Sequence, residues 1–177
     1  AAANGASLRD RVERPDLLLL GCLLHDIGKG RPGDHTVVGM DLVRTIGPRL
    51  GLPDEDTEVL VDLVRHHLLL PDVATRRDLS DQTTIDTVAE AVGDVERLHL
   101  LAALTEADSL ATGPAAWGTW KAELVRELVR RVDHHLRGGD PADLVLPEFP
   151  NAEQRALLEG RRVHVAGEDH VLTVVAP

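Results

Sequence analysis

The chain has 177 residues, of which 43% are hydrophobic and 28% charged, a composition that fits one compact globular domain with a piece of a second. Thirty acidic residues against nineteen basic ones give a net charge of -11, which repels polyanions and argues against nucleic-acid binding. Aromatic residues make up only 2%, which favours a core of Leu, Val and Ala between packed helices over a β-sandwich.

Cysteine content and hydropathy narrow the class of protein further. The single cysteine, Cys22, excludes a disulfide framework and a Cys-rich zinc site, and it favours a reducing, cytoplasmic location. The longest apolar run, residues 17–24, is much shorter than the roughly 20 residues that cross a bilayer. We therefore expect no membrane span and no membrane partner.

The first half of the chain predicts three helices. Pro15 and the apolar run up to residue 26 predict a first helix that is apolar on nearly every face, and we expect it in the middle of a helical bundle. The glycine-rich loop GKGRPGD separates it from a second helix over about residues 35–50. A third helix is predicted over about residues 54–69 and closed by Pro71, with the polar stretch after it as a connection.

The second half predicts three more helices, followed by a stretch in which apolar residues alternate as in a β-strand. Turn signals and apolar spacing place the helices over about residues 83–92, 95–111 and 114–137. Valines at alternating positions between residues 163 and 175 predict a β-hairpin. Because one hairpin cannot bury itself in water, we expect the chain to continue into a second domain. The predicted fold class is all-α, with a short β segment at the C-terminus.

The dipeptide His25-Asp26 is the strongest chemical signal, because ionisable groups beside apolar residues must be paired or bind a cation. Imidazole and carboxylate bind manganese, iron, zinc or magnesium, and the missing thiolates favour a hydrolytic or oxidative centre. Asp108 follows Leu104 by four residues and Leu101 by seven, so it is predicted to share their inward face.

Histidines after the doublet extend this set. His67 shares the helical face of Leu60 and Leu63, whereas His66 lies about 100° around the helix. His35, directly after the glycine-rich loop, is a further candidate ligand. A single inward His is more often a hydrogen-bonded core residue than a ligand, and an inward Asp is often a cap or an ion-pair member. For the doublet and the distant Asp together, a shared metal is the better explanation.

Lys29 and Arg31 place positive charge beside the predicted metal, as a phosphate ester would require. A metal-bound water would then supply the nucleophile through its lowered pKa. The alternative for Lys29 is a cation that interacts with the C-terminal end of the first helix.

The stretch LLHDIGKGRPGDHTVVG resembles the signature of the HD metal-dependent phosphohydrolase superfamily, whose minimal ligand set is a His, the His-Asp doublet and a distant Asp. With LVRHHLLLPDVATRRDLSD and LTEADSLATGPAAWGTWKAELVREL in order, residues 15–137 are similar to the HD domain of the bifunctional uridylyltransferase/uridylyl-removing enzymes. The resemblance implies an HD-domain helical bundle. It also implies a metal-dependent phosphodiesterase that removes UMP from uridylylated PII, a nitrogen-signalling protein.

The resemblance assigns roles to individual residues. The metal ligands are His25, Asp26 and Asp108, and the candidate second-metal ligands are His66 and His67, of which the apolar face favours His67. Lys29 and His35 are assigned to catalysis, through charge stabilisation or proton transfer. Arg31, Arg76 and Arg77 are assigned to substrate binding. The expected cofactor is a divalent metal, manganese or magnesium first, with iron and zinc as alternatives.

The resemblance also implies the domain organisation. The family has an N-terminal nucleotidyltransferase domain and two C-terminal ACT domains that sense glutamine, and VHVAGEDHVLTVVAP resembles the start of the first ACT domain. We predict an HD phosphohydrolase domain over residues 1–140, a linker over 141–160 and the truncated start of an ACT domain over 161–177. Glutamine would act through ACT domains outside this chain, and without the transferase domain the chain should not uridylylate.

The sequence departs from the family pattern at one ligand. HD proteins take their first ligand from a His upstream of the doublet, and no His precedes His25 here; Glu13 is the upstream residue that we consider as a substitute. Two alternatives therefore stay open. One is an HD nucleotidase or (p)ppGpp hydrolase, and the other is a non-catalytic scaffold between transferase and ACT domains.

Overall fold

A computed structural model describes residues 7–113, 116–140, 144, 164–168 and 171–175. A 3-10 turn, Leu8–Arg11, precedes the α-helices of the described residues. These helices are α1 (Pro15–Leu24), α2 (His35–Arg49), α3 (Asp54–His66), α4 (Leu69–Arg76), α5 (Gln82–Val92), α6 (Val95–Thr112) and α7 (Thr119–Leu136). The chain divides into two compact units, Ala1–Pro141 and Ala142–Pro177.

The first unit is a helical bundle, which confirms the predicted fold class. The predicted second, fourth and fifth helices agree closely with α2, α5 and α6. Each of these helices begins at an Asp that accepts backbone N–H groups of its first turn, since Asp34, Asp81 and Asp94 are the N-caps. The helix starts are therefore set by local side-chain chemistry that the sequence displays.

The prediction for the segment after residue 66 was wrong. Instead of one helix closed by Pro71, α3 ends at His66 and α4 begins at Leu69, so the expected polar connection is helical up to Arg76. Pro71 lies in the first turn of α4, where the missing N–H of a proline costs no helical hydrogen bond. The same residue that cannot continue one helix is thus compatible with starting the next.

Helix α6 occupies the middle of the bundle, and α1 does not. The stretch 100–106 of α6 is buried at every residue, and α6 packs against α1, α3, α4, α5 and α7. The expectation that α1 is central was wrong, because Leu19 and Leu23 are 73% and 75% exposed. Only the opposite face of α1, with Leu17 and Gly21, is buried. An all-apolar helix reveals no preferred face, so its periodicity could not show which side packs.

Glycines allow close helix contacts around the first loop. A Cβ at Gly28 would overlap the carbonyl oxygen of His35 and lie 2.8 Å from the backbone nitrogen of Gly39. The loop backbone therefore packs directly on the backbone of α2. The chain then turns through Gly30 and Gly33, whose φ angles of 77° and 100° favour glycine. This contact holds the end of α1 against the start of α2.

A buried carboxylate fixes the N-terminal turn onto α6. Glu106 is 7% exposed, and its Oε2 accepts hydrogen bonds from the Ser7 hydroxyl at 2.8 Å and the Leu8 backbone N–H at 3.0 Å. Arg126 of α7 lies 3.4 Å from Oε1. Because a buried charge is costly without partners, these contacts compensate its desolvation and connect three elements of the bundle.

In the second unit, strands β1 (His164–Glu168) and β2 (Val171–Val175) form an antiparallel hairpin, with His164 opposite Val175 and Glu168 opposite Val171. The predicted linker lies outside the described residues apart from residue 144. Within the described part of the chain, no helix is both long and apolar enough to cross a membrane.

The glycine contact generates a stability prediction. Gly28→Ala forces a methyl group into the backbone of α2, so we expect its free energy of unfolding to fall by at least about 1–3 kcal/mol, the usual cost of overpacking. Urea denaturation followed by circular dichroism measures this loss. Gly118→Ala is the matched control, because nothing lies within 4 Å of its added Cβ. Equal free energies for the two variants would show that the loop does not pack as described.

Candidate metal centre

The His-Asp doublet lies where α1 ends. The backbone N–H of His25 still donates to the Gly21 carbonyl, and the N–H of Lys29 donates to the Asp26 carbonyl, so the chain keeps winding past the last helical residue. The side chains of His25 and Asp26 are 13% and 28% exposed. The doublet is thus fixed by backbone hydrogen bonds and largely removed from water.

Three helices bring ionisable side chains to the doublet. His25 Nε2 lies 3.3 Å from Asp26 Oδ2 and 3.5 Å from Oδ1 of Asp108, which α6 supplies. His67, the residue after α3, places its Nε2 3.7 Å from Asp26 Oδ1. The two oxygens of Asp26 therefore face different histidines, and the carboxylate lies between them.

His35, the first residue of α2, joins the same group. One ligand atom from each of Asp26, His35 and His67 lies within 4.8 Å of the others. The ring centroids of His67 are 5.6 Å from His25 and 5.7 Å from His35. We call the set His25, Asp26, His35, His67 and Asp108 the His/Asp cluster.

Two histidines of the cluster are oriented by backbone carbonyls. His25 Nδ1 lies 3.0 Å from the Cys22 carbonyl oxygen, and His67 Nδ1 lies 2.7 Å from the Val64 carbonyl oxygen. A carbonyl accepts only, so Nδ1 must carry the proton and donate in both rings. Nε2 of each ring is directed into the cluster, and in the neutral ring it offers the lone pair that a metal ion requires.

Buried atoms of the doublet lack the partners that burial normally requires. His25 Nε2 and Asp26 Oδ1 are both buried and make no hydrogen bond with the described residues. Leaving such groups unsatisfied costs on the order of 1–3 kcal/mol each. In the neutral imidazole both atoms are hydrogen-bond acceptors, and a divalent cation would satisfy both. The donor set present therefore fits a metal ion.

Lys29 favours the ionised form of the central carboxylate. Its Nζ lies 2.5 Å from Asp26 Oδ2. Burial acts to raise the pKa of Asp26, but the hydrogen bond from Lys29 and the fields of His25 and His67 outweigh it, so the pKa lies below its ordinary value. The same hydrogen bond raises the pKa of Lys29. Asp26 is therefore ionised at neutral pH, which is the form that binds metals.

The structure does not bring every predicted site residue to the cluster. His66 lines a small pocket with Asp62 and Arg97, on a different side of α3 from His67. Burial lowers the pKa of His66. Glu13, considered as a substitute ligand, lines a separate 370 Å³ cavity that includes His99.

The arginines are also separate from the cluster. Arg31 is exposed in the glycine-rich loop. Arg76 pairs with Asp72 of the same helix at 3.7 Å, and Arg77 lines a groove with threonines of α5. Four basic residues were predicted to act at the site. Within the described part of the chain, Lys29 is the one of these that contacts a residue of the His/Asp cluster.

His35, which was assigned from the sequence to catalysis and also named as a candidate ligand, lies beside Asp26 and His67. One feature of the site was not identified from the sequence. The carbonyl groups that orient His25 and His67 belong to the residues three positions earlier, Cys22 and Val64. In both cases the sequence shows a histidine directly after an apolar helix. From that position its ring can reach a carbonyl group of the last helical turn.

Comparison with known proteins supports the sequence resemblance. The HD domain family model matches residues 1–113. A bifunctional uridylyltransferase/uridylyl-removing enzyme of Streptomyces coelicolor is 54% identical over 156 residues, which cover 88% of this chain and 19% of that protein. Proteins of the same description from Mycobacterium tuberculosis and Rhodospirillum rubrum are 49% and 47% identical, over 99% and 75% of this chain and 22% and 14% of their own lengths. The chain thus spans at most about a fifth of the curated relatives it matches.

The cluster generates a metal-binding prediction. Millimolar Mn²⁺ should raise the midpoint of thermal unfolding, because a ligand that binds the folded state at a hundredfold excess over its Kd stabilises it by about 2.7 kcal/mol. Asp26→Asn should abolish most of this shift, and Asp72→Asn, a change at an exposed position on α4, should retain it. Differential scanning calorimetry with and without EDTA measures both. A shift that survives Asp26→Asn would contradict the assignment.

Proposed function

Because this chain belongs to the HD domain family, whose members are metal-dependent phosphohydrolases, we propose that it is a divalent-metal-dependent phosphodiesterase. The observation that carries the proposal is the buried, unsatisfied pair His25 Nε2 and Asp26 Oδ1. Core histidines and helix caps find protein partners, so this pair is better explained by a cation that the fold is built to receive.

The residues that would hold metal divide into two groups that share Asp26. His25, Asp26 and Asp108 form one group, and Asp26, His35 and His67 form the other. We propose manganese or magnesium as the ion, with iron or zinc as alternatives that the imidazoles allow. When bound, the metal supplies a Lewis acid and lowers the pKa of a water molecule enough to make it a nucleophile.

Other residues of the chain would act on the substrate. The exposed Lys29 can reach a phosphate oxygen beside the cluster and offset its negative charge. His35 is proposed to hold metal or, with its ring free, to transfer a proton. Arg31, Arg76 and Arg77 are proposed to contact the remainder of a large substrate, because they lie outside the cluster.

We propose uridylylated PII as the substrate, since the relatives are described as uridylyl-removing enzymes. In the reaction, the water oxygen forms a bond to phosphorus as the bond between phosphorus and the tyrosyl oxygen breaks. The tyrosyl oxygen takes up a proton, and the products are UMP and the unmodified protein. We place this reaction in the cytoplasm, with glutamine acting through ACT domains of a longer protein.

The openness of the site favours a protein substrate over a free nucleotide. The side chain of Asp108 is 41% exposed and that of Lys29 is 64% exposed, so one side of the cluster is accessible to a protein surface. A free nucleotide has no such surface and gains its affinity from an enclosing pocket.

Release of UMP from uridylylated PII in the presence of Mn²⁺ tests the proposal. Asp26→Asn should lower the rate at least about a hundredfold. Removing a metal ligand should reduce activity at least as much as removing a residue that only orients a ligand. Asp41→Asn, a change at an exposed position on α2, should leave the rate unchanged.

The outcomes separate the alternatives. A full rate in Asp26→Asn would contradict the proposal. Faster hydrolysis of free nucleotides or (p)ppGpp than of uridylylated PII would favour the nucleotidase, and no hydrolysis even by a chain extended upstream would favour a scaffold.

A further inference from the structure

The ammonium group of Lys29 contacts the carboxylate that lies at the centre of the His/Asp cluster. Nζ is 2.5 Å from Asp26 Oδ2, and the same oxygen is 3.3 Å from His25 Nε2. The other oxygen, Oδ1, lies toward His67. A protein cation therefore occupies a position beside the oxygen that the first metal-binding group would use.

We propose that Lys29 is a displaceable counter-ion: it neutralises Asp26 until a divalent cation binds, and its ammonium then turns away from Asp26 toward the phosphate of the substrate. This inference rests on the proposed function and adds the order in which metal and substrate bind. Metal binding comes first, and the same event frees the cation that receives the substrate.

Charge makes the two cations competitors. A divalent ion bound to Asp26 and His25 would lie within a few ångströms of the ammonium group, and like charges at that distance repel each other. Movement of the Lys29 side chain away from Asp26 would relieve the conflict.

The structure allows the side chain to move without the backbone. Lys29 is 64% exposed, and its flexible four-carbon stem ends in a compact, well-hydrated charge. Its backbone N–H remains bonded to the Asp26 carbonyl, which anchors the loop. An exposed ion pair of this kind is weak, so a cation that binds Asp26 more strongly can displace it.

Arg31 provides an internal comparison. It lies in the same loop, two residues further on, and carries the same charge, but among the described residues its side chain makes no ion pair with Asp26. General electrostatic repulsion of a metal ion would come from both residues, whereas direct competition for Asp26 belongs to Lys29 alone.

Isothermal titration of the metal-free chain with Mn²⁺ at 0.15 M salt tests the inference. Lys29→Gln should bind Mn²⁺ about two- to fivefold more tightly than wild type, as expected when an exposed ion pair no longer has to be broken. Arg31→Gln should change the Kd by less than twofold. Circular dichroism confirms that each variant is folded.

A second measurement follows the side chain itself. The ¹H–¹⁵N signal of the Lys29 ammonium should be visible in the metal-free protein, because the ion pair slows its exchange, and it should be lost or move to the position of free lysine on addition of Mg²⁺. In the UMP-release assay, Lys29→Gln should raise KM for uridylylated PII. Tighter metal binding with weaker substrate binding is the signature of displacement, because a purely structural lysine would weaken both.

The outcomes distinguish this inference from the function on which it rests. If wild type binds Mn²⁺ and Lys29→Gln binds it equally or more weakly, Lys29 is not a competitor and the phosphodiesterase proposal stands. If the Lys29 and Arg31 variants gain affinity equally, the effect is general electrostatics and the inference is overturned. If wild type binds neither Mn²⁺ nor Mg²⁺, both proposals fail.

Discussion

The burial of an imidazole nitrogen and a carboxylate oxygen that make no hydrogen bond is the constraint on which the site depends. His25 directs Nε2 into the cluster because Nδ1 donates to the Cys22 carbonyl, and the hydrogen bond from Lys29 lowers the pKa of Asp26. A neutral imidazole Nε2 and a carboxylate oxygen are both acceptors, so in that form they cannot satisfy each other. In an apolar bundle this arrangement is unfavourable alone and becomes favourable when a cation completes it.

The surrounding fold serves to bring the remaining donors to this pair. The close backbone contact at Gly28 sets the distance from the end of α1 to His35 at the start of α2. The buried helix α6 carries Asp108, and Glu106 two residues earlier fixes that helix to the N-terminal turn. The cluster is thus positioned by rigid elements, since its members lie on helices or directly at their ends.

Much of the bundle and the central part of the site could be predicted from the sequence, because their signals are local. Turn residues and apolar spacing predicted α2, α5 and α6, and in the structure Asp34, Asp81 and Asp94 cap these helices. The apolar face shared with Leu60 and Leu63 favoured His67 over His66, and the structure places His67 beside Asp26. These properties depend on residues within one or two helical turns.

The remaining features depend on tertiary contacts. The uniformly apolar α1 gave no sign that Leu19 and Leu23 would be exposed, and Pro71 was compatible with ending one helix or starting another. The approach of His35 to Asp26 depends on how a glycine-rich loop packs, which no periodicity describes. The domain assignment after residue 140 and the roles of the individual ligands stay predictions.

The most direct test of the central claim is a crystal structure of the chain grown with Mn²⁺, with an anomalous difference map calculated from data at the manganese absorption edge. We predict a peak bound by Asp26 together with His25 and Asp108, or with His35 and His67, and the Lys29 side chain turned away from Asp26. The absence of a peak at these residues, with Lys29 still paired to Asp26 at millimolar Mn²⁺, would contradict a metal centre in this fold.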